Sequence, residues 1–203
     1  MIELSSITIK NLKNNKLKKH LPEFYELKKI VENNDWHNKD NVFNHTLSVL
    51  KKLAQLFKQY RSELSKSLSK KINKYSRKQL LFLSALLHDI AKKETIVKMN
   101  GTTQCPLHEI KSALKTRRML NRFDLTPQEE KFVVQLVKNH GLAHKMPEMG
   151  SKFYKKFKIT HRDIFPEIIL LVMADTLGSS LNHNNPKDFK MRLNFYKSIL
   201  KNY

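Results

Sequence analysis

Residues 80–87 read LLFLSALL, and a histidine and an acid follow at once. Seven apolar side chains with no charge among them surround the axis of any helix they form, so the stretch predicts a helix buried on every side. His88 and Asp89 continue that chain direction into the same apolar surroundings. An ionised carboxylate taken into such an interior costs on the order of several kcal/mol unless a cation pairs with it. Imidazole and carboxylate side by side offer a nitrogen and an oxygen to one point, a combination that suits a divalent transition metal. A His-Asp pair also occurs at ordinary polar helix ends, so other residues have to decide between the two.

Four glycines and six prolines in 203 residues leave few breaks. That composition predicts helices joined by short connections and an all-α fold. One domain over residues 21–203 is expected, preceded by a basic arm over residues 1–20. In that arm Ile2, Leu4, Ile7 and Ile9 recur as they would in a docked extended segment. Lys and Arg number 39 against 18 acids, a formal charge of +21. A field of that sign attracts polyanions, so nucleic acid or a phosphorylated small molecule is the natural partner, although scattered lysines also serve simply to keep a surface soluble. The single Cys105 leaves no internal disulfide and fits a reducing compartment. The first twenty residues lack an apolar signal core, and no stretch approaches the roughly 20 apolar residues that span a bilayer. The expectation is a cytoplasmic protein with no membrane partner.

Along the chain, Leu21 to Glu32 reads as a short amphipathic helix opened by Pro22. Asp35 to Asn41 reads as a polar connection carrying Trp36 and His37. Val42, His45, Val49, Leu53 and Leu56 then recur at steps of three and four, which places His45 on the apolar face of a helix. Arg61 to Lys78, rich in Ser and Lys, predicts a loop or a solvated helix and is the best local basic patch. A loop through Pro106 leads to HEIKSALKTRRML, with His108 at its start and an apolar stripe of Ile110, Ala113, Leu114 and Leu120. Thr126-Pro127-Gln128-Glu129 is a capping box with proline at the first helical position, launching a helix whose apolar face includes His140 and which Gly141 is expected to end. Residues 142–163 read as a long connection whose Lys/Phe/Tyr cluster over Lys152 to Phe157 could line a substrate entrance. Pro166 opens another apolar helix interrupted by Asp175, and Asp188 to Tyr203 forms an amphipathic cover.

His45, His88, Asp89 and Asp175 thus fall on three helices, each beside a face turned toward the core. Any one of them could be a hydrogen-bonded core residue. Imidazoles and acids converging from different helices are most simply satisfied around a metal ion. At this point the order His, His-Asp, Asp resembles the HD-domain superfamily of metal-dependent phosphohydrolases. DWHNKDNVFNHTLSVL, LSALLHDIAKKET, HEIKSALKTRRML, LVKNH and MADTLGS are similar, in that order, to blocks of the HD domains attached to bacterial tRNA nucleotidyltransferases. Ala91 stands where glycine is common there, and Lys92 takes the usual lysine position. The resemblance spans about Trp36 to Ser179 and implies an HD-domain helical bundle with its metal site between core helices.

The resemblance implies His45, His88, Asp89 and Asp175 as ligands of a divalent ion such as Mn, Ni, Co, Fe, Zn or Mg. It assigns Asp89 and Lys92 to catalysis, Lys92 by neutralising phosphate charge. His108 and His140 are left for a second ion or for the substrate phosphate, and His37 is a weaker candidate. The reaction would be hydrolysis of a phosphomonoester or phosphodiester, nucleotide or RNA in kind, by activated water. Two departures matter. The Gly-Ser turn and spaced aspartates of nucleotide addition are absent, so the chain is not expected to extend tRNA. NHGLAH separates His140 from His144, unlike the paired histidines of dinuclear cyclic-dinucleotide phosphodiesterases, which weighs against a two-ion centre. The alternative from another class is an HD-fold module that binds RNA or nucleotides without turnover, and a more distant one is a diiron oxygenase.

Overall fold

Every residue from Phe165 to Thr176 is buried in the computed structural model, which describes residues 1–201. A helix that is apolar all round has to be enclosed by others. The rest of the chain wraps this post.

In chain order, a 3-10 turn at Leu4–Ser6 precedes α1 (Ile9–Lys13) and α2 (Pro22–Glu26). The hairpin β1 (Val31–Asn34) and β2 (His37–Asn41) runs straight into α3 (Val42–Gln59), followed by α4 (Arg61–Ser69) and α5 (Arg77–Leu87). A second hairpin, β3 (Val97–Met99) and β4 (Thr102–Gln104), leads to α6 (His108–Leu120) and α7 (Pro127–His144). Next come α8 (Met146–Thr160), the post α9 (Phe165–Gly178), the short α10 (Leu181–Asn184) and α11 (Pro186–Leu200). Helices hold 69 % of the described residues, so the bundle is all-α with two small antiparallel hairpins attached. No helix among the described residues is long and apolar enough to cross a membrane.

Around the post, α9 packs on α3, α7 and α11, and α5 closes against α3 and α7. Local chemistry sets the boundaries. Asn41 caps α3 by accepting from Asn44 N, and Ser76 with Gln79 forms a reciprocal capping box at α5. Buried Glu167, at the start of α9, takes a two-pronged ion pair from Arg77 at 2.6 and 2.9 Å and so ties α9 to α5. At the far end, a Cβ on Gly178 would lie 2.9 Å from Val49 N, so only glycine lets α9 approach α3 this closely. That approach brings Asp175 to His45. The hairpins join through Asn33 N to Thr103 Oγ1 (2.7 Å) and Asn34 Nδ2 to Thr103 O (3.1 Å).

Several sequence expectations change. Ile2, Leu4 and Ile7 are buried, and Ile2 docks as extended backbone through a parallel bridge to Phe123, but Leu4 then enters a 3-10 turn and α1 follows at Ile9, where Thr8 caps Asn11 N. The connection at Asp35 to Asn41 is largely strand β2. Between Arg61 and Lys78 the chain takes the expected helical alternative as α4, largely exposed and burying only Leu64 and Leu68. Ile110 and Leu114 are exposed, since α6 turns the smaller Ser112, Ala113 and Thr116 inward toward its neighbours. Gly141 does not end α7. The Glu109 side chain fills the space where a Cβ would project, and the helix continues to His144. The expected loop at 142–163 is mostly α8, broken at Gly150 with φ +76°. Its aromatic residues pack inward, Tyr154 against Phe165 and Phe195 and Phe157 against Phe165, instead of lining an entrance.

Glu129 makes one boundary testable. Its buried carboxylate accepts from Thr126 N (2.9 Å) and Tyr75 N (2.7 Å). Burial favours the neutral acid, yet these hydrogen bonds outweigh it and hold the carboxyl below its usual value. Its contribution is therefore complete above the ordinary glutamate range and fades as pH falls through the lowered native value. Glu129→Ala should cost about 1–3 kcal/mol in urea unfolding at neutral pH, and the gap to wild type should narrow in acid.

Candidate metal centre

Three helix ends meet at one place. His88 and Asp89 follow the last residue of α5, His140 and His144 occupy the last turns of α7, and Asp175 lies in the last turn of α9. A helix C-terminus carries partial negative charge. Two carboxylates set among three such ends, both buried, raise the local demand for positive charge. His45 enters from the first turn of α3, and His108 is the first residue of α6.

Asp89 is the hub. Its Oδ2 lies 3.1 Å from His88 Nε2 and 3.7 Å from His45 Nε2. Its Oδ1 lies 3.4 Å from His108 Nε2 and 3.8 Å from His140 Nε2. Donor atoms of His45, His88 and Asp89 form one group compact enough to hold an ion, and those of Asp89, His108 and His140 form another. Asp175 borders the first group, with Oδ1 at 2.9 Å from His45 Nε2 and 3.9 Å from His88 Nε2. The structure therefore brings all six sequence candidates for ligation together. Separation of His140 from His144 does not prevent a second donor group, because the partner of His140 comes from α6.

Ring orientation fits metal binding. Nδ1 of His88, His108 and His140 each faces a backbone carbonyl three residues back, Ala85 O at 2.8 Å, Cys105 O at 2.7 Å and Val137 O at 2.7 Å. A carbonyl only accepts, so each Nδ1 donates and each Nε2 is turned toward Asp89. His88 Nε2 and Asp89 Oδ1 are nevertheless misaligned for hydrogen bonds, and both are buried without a partner, as is His45 Nδ1. Orphaned donors and acceptors at a buried site are costly. A cation between Nε2 and the carboxylate satisfies two of the three.

Electrostatics point the same way. Burial favours protonated acids, but His88 and Lys92 hold Asp89 well below the usual carboxylate range. Hydrogen bonds from His144 and His45 likewise overcome burial at Asp175. Burial opposes charge on His88, yet Asp89 and then Asp175 raise it to about 9. Burial, with repulsion from His88 and His108, lowers His140 to about 3, which keeps it neutral as a ligand must be.

Lys92 is not a surface lysine. It is buried with Nζ at 2.9 Å from Asp89 Oδ2 and 2.7 Å from Glu32 Oε2. His37, expected in an unremarkable polar loop, is buried beside them, its Nε2 3.3 Å from Glu32 and its ring edge-on to His45 at 4.5 Å. Burial and the Lys92 charge hold His37 well below its ordinary value, so it is neutral. The sequence reading missed Glu32 and His144, whose Nε2 lies 2.9 Å from Asp175 Oδ2. His144 follows His140 by four residues, a helical repeat that was the available signal. A cleft of about 410 Å³ opens onto this centre, lined by Trp36, Cys105, Glu109, Lys145 and the site residues. Burial and then Glu32 push the Cys105 thiol up to about 12, which leaves it an unreactive thiol.

A helical bundle with two His/Asp donor groups at converging helix ends is an arrangement that could hold metal ions. A family model for the HD domain matches residues 42–178, well over half the chain, and the protein belongs to that family. The match begins at the first residue of α3 and ends at the last of α9, so it encloses His45, His88, Asp89, His108, His140 and Asp175. HD domains are generally metal-dependent phosphohydrolases that bind divalent ions, and the His/Asp groups here could hold such ions. No curated protein matches the chain.

Metal uptake has to expel the His88 proton, so affinity should rise about tenfold per pH unit below about pH 9. Isothermal titration with Mn²⁺ or Co²⁺ between roughly pH 6 and 9 measures the slope. His108→Ala should remove one ion equivalent and Asp89→Ala both, with the helical circular dichroism retained.

Proposed function

We propose that the protein is a metal-dependent phosphohydrolase acting on a phosphomonoester or phosphodiester of nucleotide or RNA-related kind. The observation that carries this reading is the two-sided use of Asp89, one oxygen toward His88 and His45 and the other toward His108 and His140. In this reading His45, His88, Asp89 and Asp175 hold one ion, while Asp89, His108 and His140 hold a second. A bound divalent cation would supply Lewis acidity toward a phosphoryl oxygen and a water acidic enough to attack near neutral pH. The five ordered sequence blocks support kinship with the HD domains of bacterial tRNA nucleotidyltransferases, and the charge of +21 suits a phosphate-bearing substrate.

The remaining residues position these. Lys92 grips Asp89 Oδ2 and is itself gripped by Glu32, so its ammonium orients the central carboxylate instead of meeting a phosphate. His144 fixes Asp175 from the side opposite His45. Outer partners of this kind typically contribute 10- to 100-fold to metal affinity or activity.

Hydrolysis of bis(4-nitrophenyl) phosphate and a nucleotide panel with Mn²⁺, Ni²⁺, Co²⁺, Zn²⁺ and Mg²⁺ tests the proposal. Asp89→Ala should abolish turnover, and Glu32→Gln should lower it by roughly 10- to 100-fold. The large positive charge favours one alternative, a module that binds RNA or nucleotides without turning them over. Tight RNA binding with no hydrolysis under any of these metals selects it. Two donor groups would also suit two irons, and oxygen consumption by the ferrous protein without phosphate release would select an oxygenase.

A further inference from the structure

Trp36 is the chain's only tryptophan, and it forms part of the cleft wall instead of the core. It occupies the turn between β1 and β2, which is pinned from several sides. Trp36 N and His37 N both donate to Asn34 Oδ1 (2.9 and 3.1 Å). Trp36 O accepts from Ser180 N at 2.8 Å, and Asn184 Nδ2 donates to Asp35 O at 3.1 Å. The backbone under the ring is therefore fixed to the segment that follows α9.

The ring is braced as well. The Arg192 guanidinium lies 5.1 Å from its centroid, and the His144 ring meets it at 4.9 Å and 80°. Arg192 is buried and fully engaged, through Nε to Asp188 Oδ2 (2.9 Å), Nη1 to His144 O (2.6 Å) and Nη2 to Glu148. Its charge is spent on protein partners, which makes it a support for the indole and leaves little for an anion. Trp36 remains half-buried and is one of the residues that line the cleft. One imidazole separates it from the metal centre, since the same His144 reaches Asp175 at 2.9 Å.

We infer that Trp36 is a stacking surface for the base of a nucleoside phosphate, and thereby sets specificity for nucleotides over simple sugar phosphates. The inference rests on the phosphohydrolase reading for the position of the phosphate at the Asp89 centre. In a mononucleotide one sugar separates phosphate from base, as one imidazole separates Asp175 from Trp36. A rigid indole offers a flat π-face that every base can use and a bare sugar phosphate cannot. The cleft volume, about 410 Å³, falls in the range that accepts one small ligand.

Because the protein has a single tryptophan, its emission reports on this ring alone. Adenosine 5′-monophosphate, with or without Mg²⁺, should quench the emission saturably, and ribose 5-phosphate should not. Trp36→Ala should weaken calorimetric binding of adenosine monophosphate by roughly 5- to 150-fold, as stacking losses do, and Trp36→Phe should restore most of it. The ratio of kcat/KM for adenosine monophosphate to that for ribose 5-phosphate should fall by a similar factor in Trp36→Ala. Absent quenching, equal quenching by both compounds, or equal loss of both in a folded Trp36→Ala protein would overturn the inference. Quenching by the nucleotide in a protein that hydrolyses nothing supports stacking while contradicting the phosphohydrolase reading. Hydrolysis of both compounds at similar kcat/KM without quenching does the reverse.

Discussion

A carboxylate cannot stay ionised inside a protein unless its surroundings replace the water it has lost. Asp89 is 2 % exposed and stands where three helix ends add negative potential. Lys92 and the His88 imidazole answer that demand with charge, and Nε2 of His45, His108 and His140 also lie within 4 Å. The answer is incomplete, because Asp89 Oδ1 and His88 Nε2 still lack hydrogen-bond partners. Donor groups converged in this way could hold a divalent ion.

The bundle supplies that convergence by ordinary packing. The post α9 is enclosed by α3, α7 and α11, which fixes Asp175, and Gly178 lets its end close on α3. The hairpin before α3 brings Glu32 and His37 against Lys92, which holds the central carboxylate at Oδ2, the oxygen that also faces His88 and His45. The second hairpin and α6 deliver His108 to the opposite oxygen. Both hairpins also wall the cleft, which makes these small β elements part of the site even though they add little to the core.

Much of this was legible in the chain because the informative residues lie on strongly periodic segments. His45 shares a 3.6-residue repeat with Val42, Val49 and Leu53, and Asp175 interrupts an otherwise apolar run, which places both near the core. Glu32 could not. It reaches Lys92 across 60 residues through a short hairpin whose polar sequence, VENN and HNKDN, has no apolar alternation to mark strands. Gly141 misled for a related reason. Glycine usually ends a helix because it tolerates φ > 0, but here it stays helical so that the Glu109 side chain can lie across it, a reason found only in the neighbouring element. Ile110 and Leu114 likewise carry a helical apolar period yet face outward, since the face that α6 buries runs through Ser112, Ala113, Thr116, Met119 and Leu120.

Anomalous diffraction from crystals grown with Mn²⁺ tests the central claim most directly. The account predicts two anomalous peaks flanking Asp89, one beside His45 and His88 and one beside His108 and His140. Crystals saturated with Mn²⁺ whose density places no ion within coordination distance of Asp89, with Lys92 and the histidines closed around the bare carboxylate, would contradict it.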